Sequence, residues 1–371
     1  MKKMIISLIL LLSLLLNSGC WDIRDVSNRA FVTAIGLDAV EGAEPLKYKV
    51  TFEIVKPLGL KYQSFEPATI VETIEAESIG KAMEQLQSKI SRTITLSHLR
   101  LLIIGDKLAR RNFKDTSNFF EKHPEVALRL RLDFVQDGQA QDILNAKPRF
   151  EKSISGEYVA VTQLEKDFSL MRTRRFYDFV SDLRSSNGNG FATRVYRPAN
   201  VETTVHEGGA VFKEWKLTGW LNGDETQAAN WITGRGKATV AGKTEQGVYT
   251  YQVNKKSVRL TPVNKNGQLR YRVKLKTYGN VNQEQGEQLD LSNPQNTDKL
   301  EKVFSRVIAG QVRGAVHKAQ KELGVDYLGL GKNLKQHDPK TFDSINWAEI
   351  FPNVPVSVEV ESNISTFGLA R

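Results

Sequence analysis

The chain of 371 residues holds one cysteine, Cys20, and five histidines, and these scarcities exclude more chemistry than any other feature of the sequence. A single cysteine closes no disulfide within the chain. His98, His123, His206, His317 and His337 stand far apart, with no HExxH and no pair at helical spacing, so no metal site is written in the sequence. A Gly-x-Ser-x-Gly nucleophile elbow is missing too. Gly324 and Gly329 have the outer spacing of a phosphate-binding loop, but Leu330 stands where that loop requires lysine, so both glycines read as turns. Gly188-Asn189-Gly190 follows no strand and reads the same way. Glu53 and Glu72 lie on alternating strands, where carboxylates ordinarily face solvent rather than meet as an acid and base. The expectation is a protein that is not an enzyme, with no catalytic residues, no metal and no cofactor.

Long apolar runs are scarce as well. The run from Met4 to Leu16 falls short of the roughly 20 residues a spanning helix needs. It follows Lys2 and Lys3 and leads into Asn17-Ser18-Gly19-Cys20, which reads as a lipoprotein signal peptide over 1–19 with Cys20 as the attachment site. A thiol takes a diacylglycerol as a thioether, and small residues before it suit a peptidase cleft; Asn17 departs from the leucine usual at its position. The remainder, with 40% hydrophobic and 25% charged residues overall, has the composition of a globular protein. Its formal charge is +10, of which Lys2 and Lys3 supply two, and a basic balance suits an anionic lipid surface. The basic residues are dispersed rather than clustered among aromatics, which argues against a nucleic acid partner.

Period-two alternation predicts strands over 31–37 and 48–54 paired as a hairpin, then strands over 71–75, 98–104 and 126–135. Ser78 is a helix N-cap ahead of Ile79, Ala82, Met83, Leu86 and Ile90, which fall on one face. Short helices are expected at 115–122 and 140–146, and a helical pattern runs from 154 to 183 before the polar turn cluster 185–190. Hairpins follow: 210–213 with 216–221 around Glu214-Trp215, a helix over 225–232, and two long strands, 248–262 and 269–281. The strongest helix spans 298–323, capped by Thr297 and closed by Gly324, and is expected to lie across the long-stranded sheet before a last strand over 354–364. Trp220, Trp231 and Trp347 read as core anchors, and Gly208, Gly209 and Gly219 as turns or close backbone contacts. The fold class is therefore α+β and multi-domain, with mixed and antiparallel sheets, packed helices and a long C-terminal-domain helix across a sheet. The expected division is an N-terminal α+β region over 20–199, with room for two subdomains, and a C-terminal α+β domain over 200–371.

Several segments together carry a resemblance. Gly19-Cys20-Trp21-Asp22-Ile23-Arg24-Asp25 resembles the Gly-Cys-Trp-Asp-x-Arg-Glu opening of the Ger(x)C lipoproteins, the C subunits of spore germinant receptors. Ala34-Ile35-Gly36-Leu37-Asp38 extends the similarity. So do Gly209-Ala210-Val211-Phe212-Lys213 with Lys216-Leu217-Thr218-Gly219-Trp220-Leu221, and Gly329-Leu330-Gly331 with Pro339, Trp347 and Phe351-Pro352. Asp25 replaces the usual glutamate, and Phe342 stands where the family often has tryptophan. The resemblance implies a non-enzymatic, lipid-anchored subunit of a nutrient germinant receptor on the outer face of the spore inner membrane. Its implied partners are the integral-membrane A and B subunits. Exposed members of Trp21, Arg24, Trp215 and Trp220 are the candidate anchors for such partners. The alternatives are a solute-binding lipoprotein that captures the germinant itself, which needs two similar lobes around a cleft, and a cortex-lytic hydrolase, which needs an assembled acid pair or metal.

Overall fold

The computed structural model describes residues 28–55, 69–199, 201–265 and 268–365, and within them two sheets organise the chain. The signal segment, Cys20 and the stretch from Trp21 to Asp25 lie outside the described residues. Among the described residues no helix is long and apolar enough to cross a membrane.

The first sheet has nine strands. β1 (Arg29–Ala39), β2 (Tyr48–Val55) and β3 (Thr69–Ala76) form an antiparallel meander. β1 also runs parallel to β4 (Thr93–Thr95) and β5 (Leu101–Ile104), and β5 parallel to β6 (Arg131–Val135) and then β7 (Gly190–Tyr196). β8 (Val205–Lys213) and β9 (Lys216–Leu221) return antiparallel at the far edge. The expected hairpin of 31–37 with 48–54 is present, with Ile35 opposite Phe52 and Leu37 opposite Val50. Of 98–104 and 126–135, only the second half of each is strand. Turns closed by Leu99 N–H on Leu96 and by Leu130 N–H on Ala127 take the first half.

Every residue of β5, Leu101-Leu102-Ile103-Ile104, is buried, the continuous apolar run of a parallel strand covered on both sides. One face carries α1 (Ile79–Lys89), α3 (Phe113–Lys122) and α6 (Phe176–Ser185), with Leu86, Phe120 and Phe179 in its core. The other carries α4 (Ala140–Leu144) and α5 (Ile154–Gln163), with Ile143 and Tyr158 against Val135 and Val195. Short α2 (Asp106–Ala109) follows β5. Ser78 caps α1 as expected, its hydroxyl accepting from Lys81 N–H.

The helical pattern over 154–183 is broken in the structure. After a 3-10 turn at Leu164–Lys166 the chain leaves the helix before α6, where its backbone groups are taken by distant partners. The Ser169 and Met171 carbonyls accept from the Asn230 amide, the Leu170 carbonyl from Gly208 N–H, and the Arg174 carbonyl from Leu132 N–H. Those tertiary bonds override a local helical period.

The second sheet orders β10 (Ala238–Lys243), β11 (Gly247–Lys265), β12 (Gln268–Gly286) and β13 (Val356–Ile364), with β13 parallel to β12. α8 (Pro294–His317) continues as a wider helical turn to Leu323 and lies across this sheet, Phe304 stacking on Tyr251 at 4.8 Å. Its N-cap is Asn293, with Pro294 in the first turn, rather than Thr297; the Thr297 hydroxyl instead donates to Leu291 and Asn293 carbonyls. Gly324 closes the helix in the left-handed conformation, φ 61°. Short helices α9 (Leu330–His337), α10 (Pro339–Asp343) and α11 (Trp347–Ile350) lead to β13.

α7 (Gly223–Thr233) joins the sheets. Trp231 is fully buried, with its indole N–H donating to Gln311 on α8 at 2.7 Å, and Phe191, Val211 and Leu221 of the first sheet share its apolar cluster. The change of texture near residue 200 falls between β7 and β8, which are hydrogen-bonded neighbours in one sheet. Val211 faces the second core while Ala210 and Phe212 face the first.

Candidate functional site

Three carboxylates hold helix starts: Asp38 and Glu53, buried on the first sheet, reach distant ones, and Asp326, half-buried in the turn before α9, reaches the next one along the chain. Asp38, at the end of β1, accepts from the backbone N–H groups of Ala140 at 2.8 Å and Gln141 at 3.0 Å, the free donors of the α4 terminus. Burial pushes its carboxyl up to about 6, against the lowering effect of those two bonds. Gly105 is required beside it, since a Cβ there would stand 1.9 Å from the Asp38 carboxylate. Glu53 is completely buried, accepting from Thr33 at 2.7 Å and from Ile154 N–H at 2.7 Å at the start of α5. This corrects the expectation that Glu53 faces solvent: α5 covers its side of the sheet. It has no meeting with Glu72, whose register partner is Phe52.

Asp326 completes the set. It accepts from Gly329, Leu330 and Gly331 N–H groups at 2.9, 3.1 and 2.6 Å and from the Trp347 indole at 3.0 Å. Burial raises its carboxyl above the ordinary range even so. A Cβ on Gly331 would lie 2.4 Å from the Trp347 nitrogen. Gly324 and Gly329, both at positive φ, are helix-end turns, as their lack of a lysine implied.

A different arrangement lies under α5. His206 Nδ1 stands 3.7 Å from Asp133 Oδ2, the Tyr158 ring meets the imidazole edge-on at 4.0 Å, and Thr204 Oγ1 lies 3.5 Å from His206 Nε2. Asp133 Oδ2, His206 Nδ1 and Tyr158 Oη are buried without a protein partner among the described residues. Burial, and the Asp133 charge, hold the Tyr158 phenol well above its ordinary range. The order Thr204, His206, Asp133 is that of a nucleophile, base and acid, at 3.5 and 3.7 Å, longer than the usual hydrogen-bond reach of such a relay. It remains a polar knot inside the sheet.

Val135 lies two residues along β6 from Asp133, on the same face. There the carboxyl ends of β6 and β7 open into a cleft of about 530 Å³, lined by Asp137, Gln139, Asp142, Arg197, Pro198 and Glu202. This is where parallel sheets ordinarily bind small ligands. Among the described residues the cleft belongs to the first sheet alone rather than to a pair of similar lobes. Sequence reasoning missed the knot and the cleft because their residues come from β6, α4, α5 and the segment from Arg197 to His206, up to 73 positions apart.

Of the four candidate anchors, Trp21 and Arg24 lie outside the described residues, and Trp215 and Trp220 are half-buried against the first core. Trp215 sits with Glu214 in the predicted tight turn, both at positive φ. Its N–H donates to Gly188 and its carbonyl accepts from Phe113 N–H, each at 2.9 Å, so this tryptophan locks the hairpin to α3. Gly209 approaches the Phe191 ring so closely that a Cβ would stand 2.0 Å from it, which explains the paired glycines before Ala210.

Among the described residues no three His, Cys, Asp or Glu side chains gather as a metal site. The signature segments thus serve the scaffold: Asp38 pins α4, Gly209 admits Phe191, and Gly331 packs on Trp347.

Comparison with known proteins covers nearly the whole chain. Residues 22–195 match the family described as spore germination protein N-terminal domain, and residues 207–368 the family described as spore germination B3/GerAC like, C-terminal. Spore germination protein B3 of Bacillus subtilis is 22% identical over 357 residues, 94% of each chain. Spore germination protein KC of the same organism is 23% identical over 403 residues, covering 99% of this chain and 97% of its own. The crystal structure of the GerBC protein superposes with a TM-score of 0.61 at 20% identity over 90% of this chain and 98% of that one, a likeness of fold.

Proposed function

Because the chain belongs to the Ger(x)C family of spore germination proteins, we propose that it is a lipid-anchored, non-enzymatic subunit of a nutrient germinant receptor. In this reading Cys20 carries a diacylglycerol after removal of residues 1–19 and holds the protein on the outer face of the spore inner membrane. The α+β body works beside integral-membrane A and B subunits, and its N-terminal and C-terminal parts divide near residue 200. The observation that carries the proposal is the end-to-end family match, with the signature residues used to brace the scaffold rather than to line a reaction centre. Affinity purification of the tagged protein from spore membranes tests it. Co-purification of two integral-membrane subunits supports the assembly, and recovery of the protein alone from intact membranes refutes it.

The acidic cleft at the ends of β6 and β7 favours one second reading, direct capture of a small germinant. Isothermal titration with amino acids and sugars separates the two, since a subunit acting by assembly alone gives no heat of binding.

A further inference from the structure

We propose that the open face of the β10–β13 sheet docks on an anionic membrane leaflet. The two long strands cross this sheet with one face under α8 and the other in solvent. Tyr271, Val273, Leu275 and Thr277 are buried on the inner side, while Arg270, Arg272, Lys274 and Tyr278 point outward. Lys255 and Arg259 of β11 are exposed as well, and Arg259 stands opposite Lys274 in the register. Lys276 lies on the same outer side, opposite Ser257.

These six cations meet only two carboxylates on the neighbouring strand. Glu361 pairs with Lys276 at 2.8 Å and Glu359 with Lys274 at 4.0 Å. Among the described residues no carboxylate lies within ion-pair distance of Lys255, Arg259, Arg270 or Arg272. Like charges directly opposed across a strand pair are destabilising, and the Arg259–Lys274 opposition is relieved when anions lie over both. Tyr278, 39% exposed, stands among the cations and suits the headgroup level of a bilayer, where amphipathic aromatic side chains collect. The cations of β12 run from Arg270 to Lys276, about 20 Å of strand, with Lys255 and Arg259 beside them on β11, so they form an open surface rather than a pocket. A broad surface of excess positive charge fits a sheet of phosphates better than a single small anion.

The inference takes from the proposed function only that the protein works at a bilayer. Its test uses the full chain with Cys20→Ala, so that no lipid is attached, mixed with vesicles of phosphatidylcholine or of phosphatidylcholine with phosphatidylglycerol. Any effect of the apolar leader is common to all variants, so the comparison among them reads the sheet face. Binding is expected to favour the anionic vesicles and to weaken with salt. The combined substitutions Arg259→Gln, Arg270→Gln and Arg272→Gln are expected to lower partitioning on the order of a hundredfold, and Arg259→Gln alone about fivefold. Arg259→Gln also removes the like-charge opposition, so it is expected to melt no lower than the parent protein. Equal binding to both vesicle types, or unchanged binding of the triple variant, overturns the proposal. So does a triple variant that keeps its lipid binding and loses co-purification with an acidic protein, because the face then serves a protein partner. Failure to find receptor subunits leaves the vesicle result intact, so the two proposals fall separately.

Discussion

The Trp347 indole donates to the Asp326 carboxylate at 3.0 Å, and together with the Gln320 amide on the Phe351 and Val354 carbonyls it holds the approach to the last strand against the turn that follows α8. Asp326 also takes three backbone N–H groups at the start of α9, so its removal leaves four donors without their partner in a half-buried place. Asp326→Ala is expected to cost on the order of 3–5 kcal/mol, read by urea denaturation. Trp347→Phe, which removes one donor, is expected to cost less. Equal effects would show that packing of the indole outweighs its bond.

Asp38 makes stability depend on pH in the direction opposite to a salt-bridged carboxylate. Burial holds its folded pKa at about 6 against 3.8 for a free aspartate side chain. Between those values the folded state holds the proton and the unfolded state does not, so stability falls as pH rises from about 4 to about 6. The contribution is on the order of 3 kcal/mol, fully present below the lower value and lost above the upper. Chemical denaturation across that range is expected to show a flatter profile for Asp38→Asn than for the parent protein, and parallel profiles would refute the assignment.

Phe304 and Ile308 on α8 are fully buried, with Phe304 stacked on Tyr251. Replacement of either by Ala is expected to cost about 2–5 kcal/mol through the cavity left behind, lowering protein level in spores before any specific response. A variant of normal stability that is blind to nutrients would make the stripe functional.

Gly208 has φ +85°, and a Cβ there would lie 2.2 Å from the Leu221 carbonyl oxygen. Gly208→Ala is therefore expected to disturb the β8–β9 pairing and to lower the melting temperature by several degrees. An unchanged melt would show that the strand edge yields.

Cys20→Ala is expected to leave a folded protein that is poorly retained on membranes, since the two chains of a diacylglyceryl group supply the anchoring that one chain does not. Mass spectrometry of the mature N-terminus decides the modification, and an unmodified Cys20 in membrane-extracted protein sinks it.

Local rules carried far along this chain. The alternation through Arg270, Arg272 and Lys274 predicted β12 and its wet face, Ser78 predicted its own cap, and Glu214-Trp215 predicted the tight hairpin. Each depends on neighbours within a few residues, where period and cap chemistry are written directly. The same locality misled over 154–183, where helical spacing persists but Asn230 and Gly208 claim the backbone between α5 and α6. It also misplaced the start of α8 at Thr297, because two helix-capping residues stood four positions apart and Pro294 favoured the earlier one.

By itself, then, the amino-acid sequence determined most element types, the amphipathic faces and, through its signature segments, the family. Tertiary structure alone decided the parallel order β1-β5-β6-β7, the burial of Glu53 and Asp38 against helix starts about a hundred residues away, and the meeting of Asp133 with His206. A carboxylate's side chain is the same on a wet strand and a covered one. What differs is which helix lies over it, and that depends on long-range burial of apolar faces rather than on any neighbour in the chain.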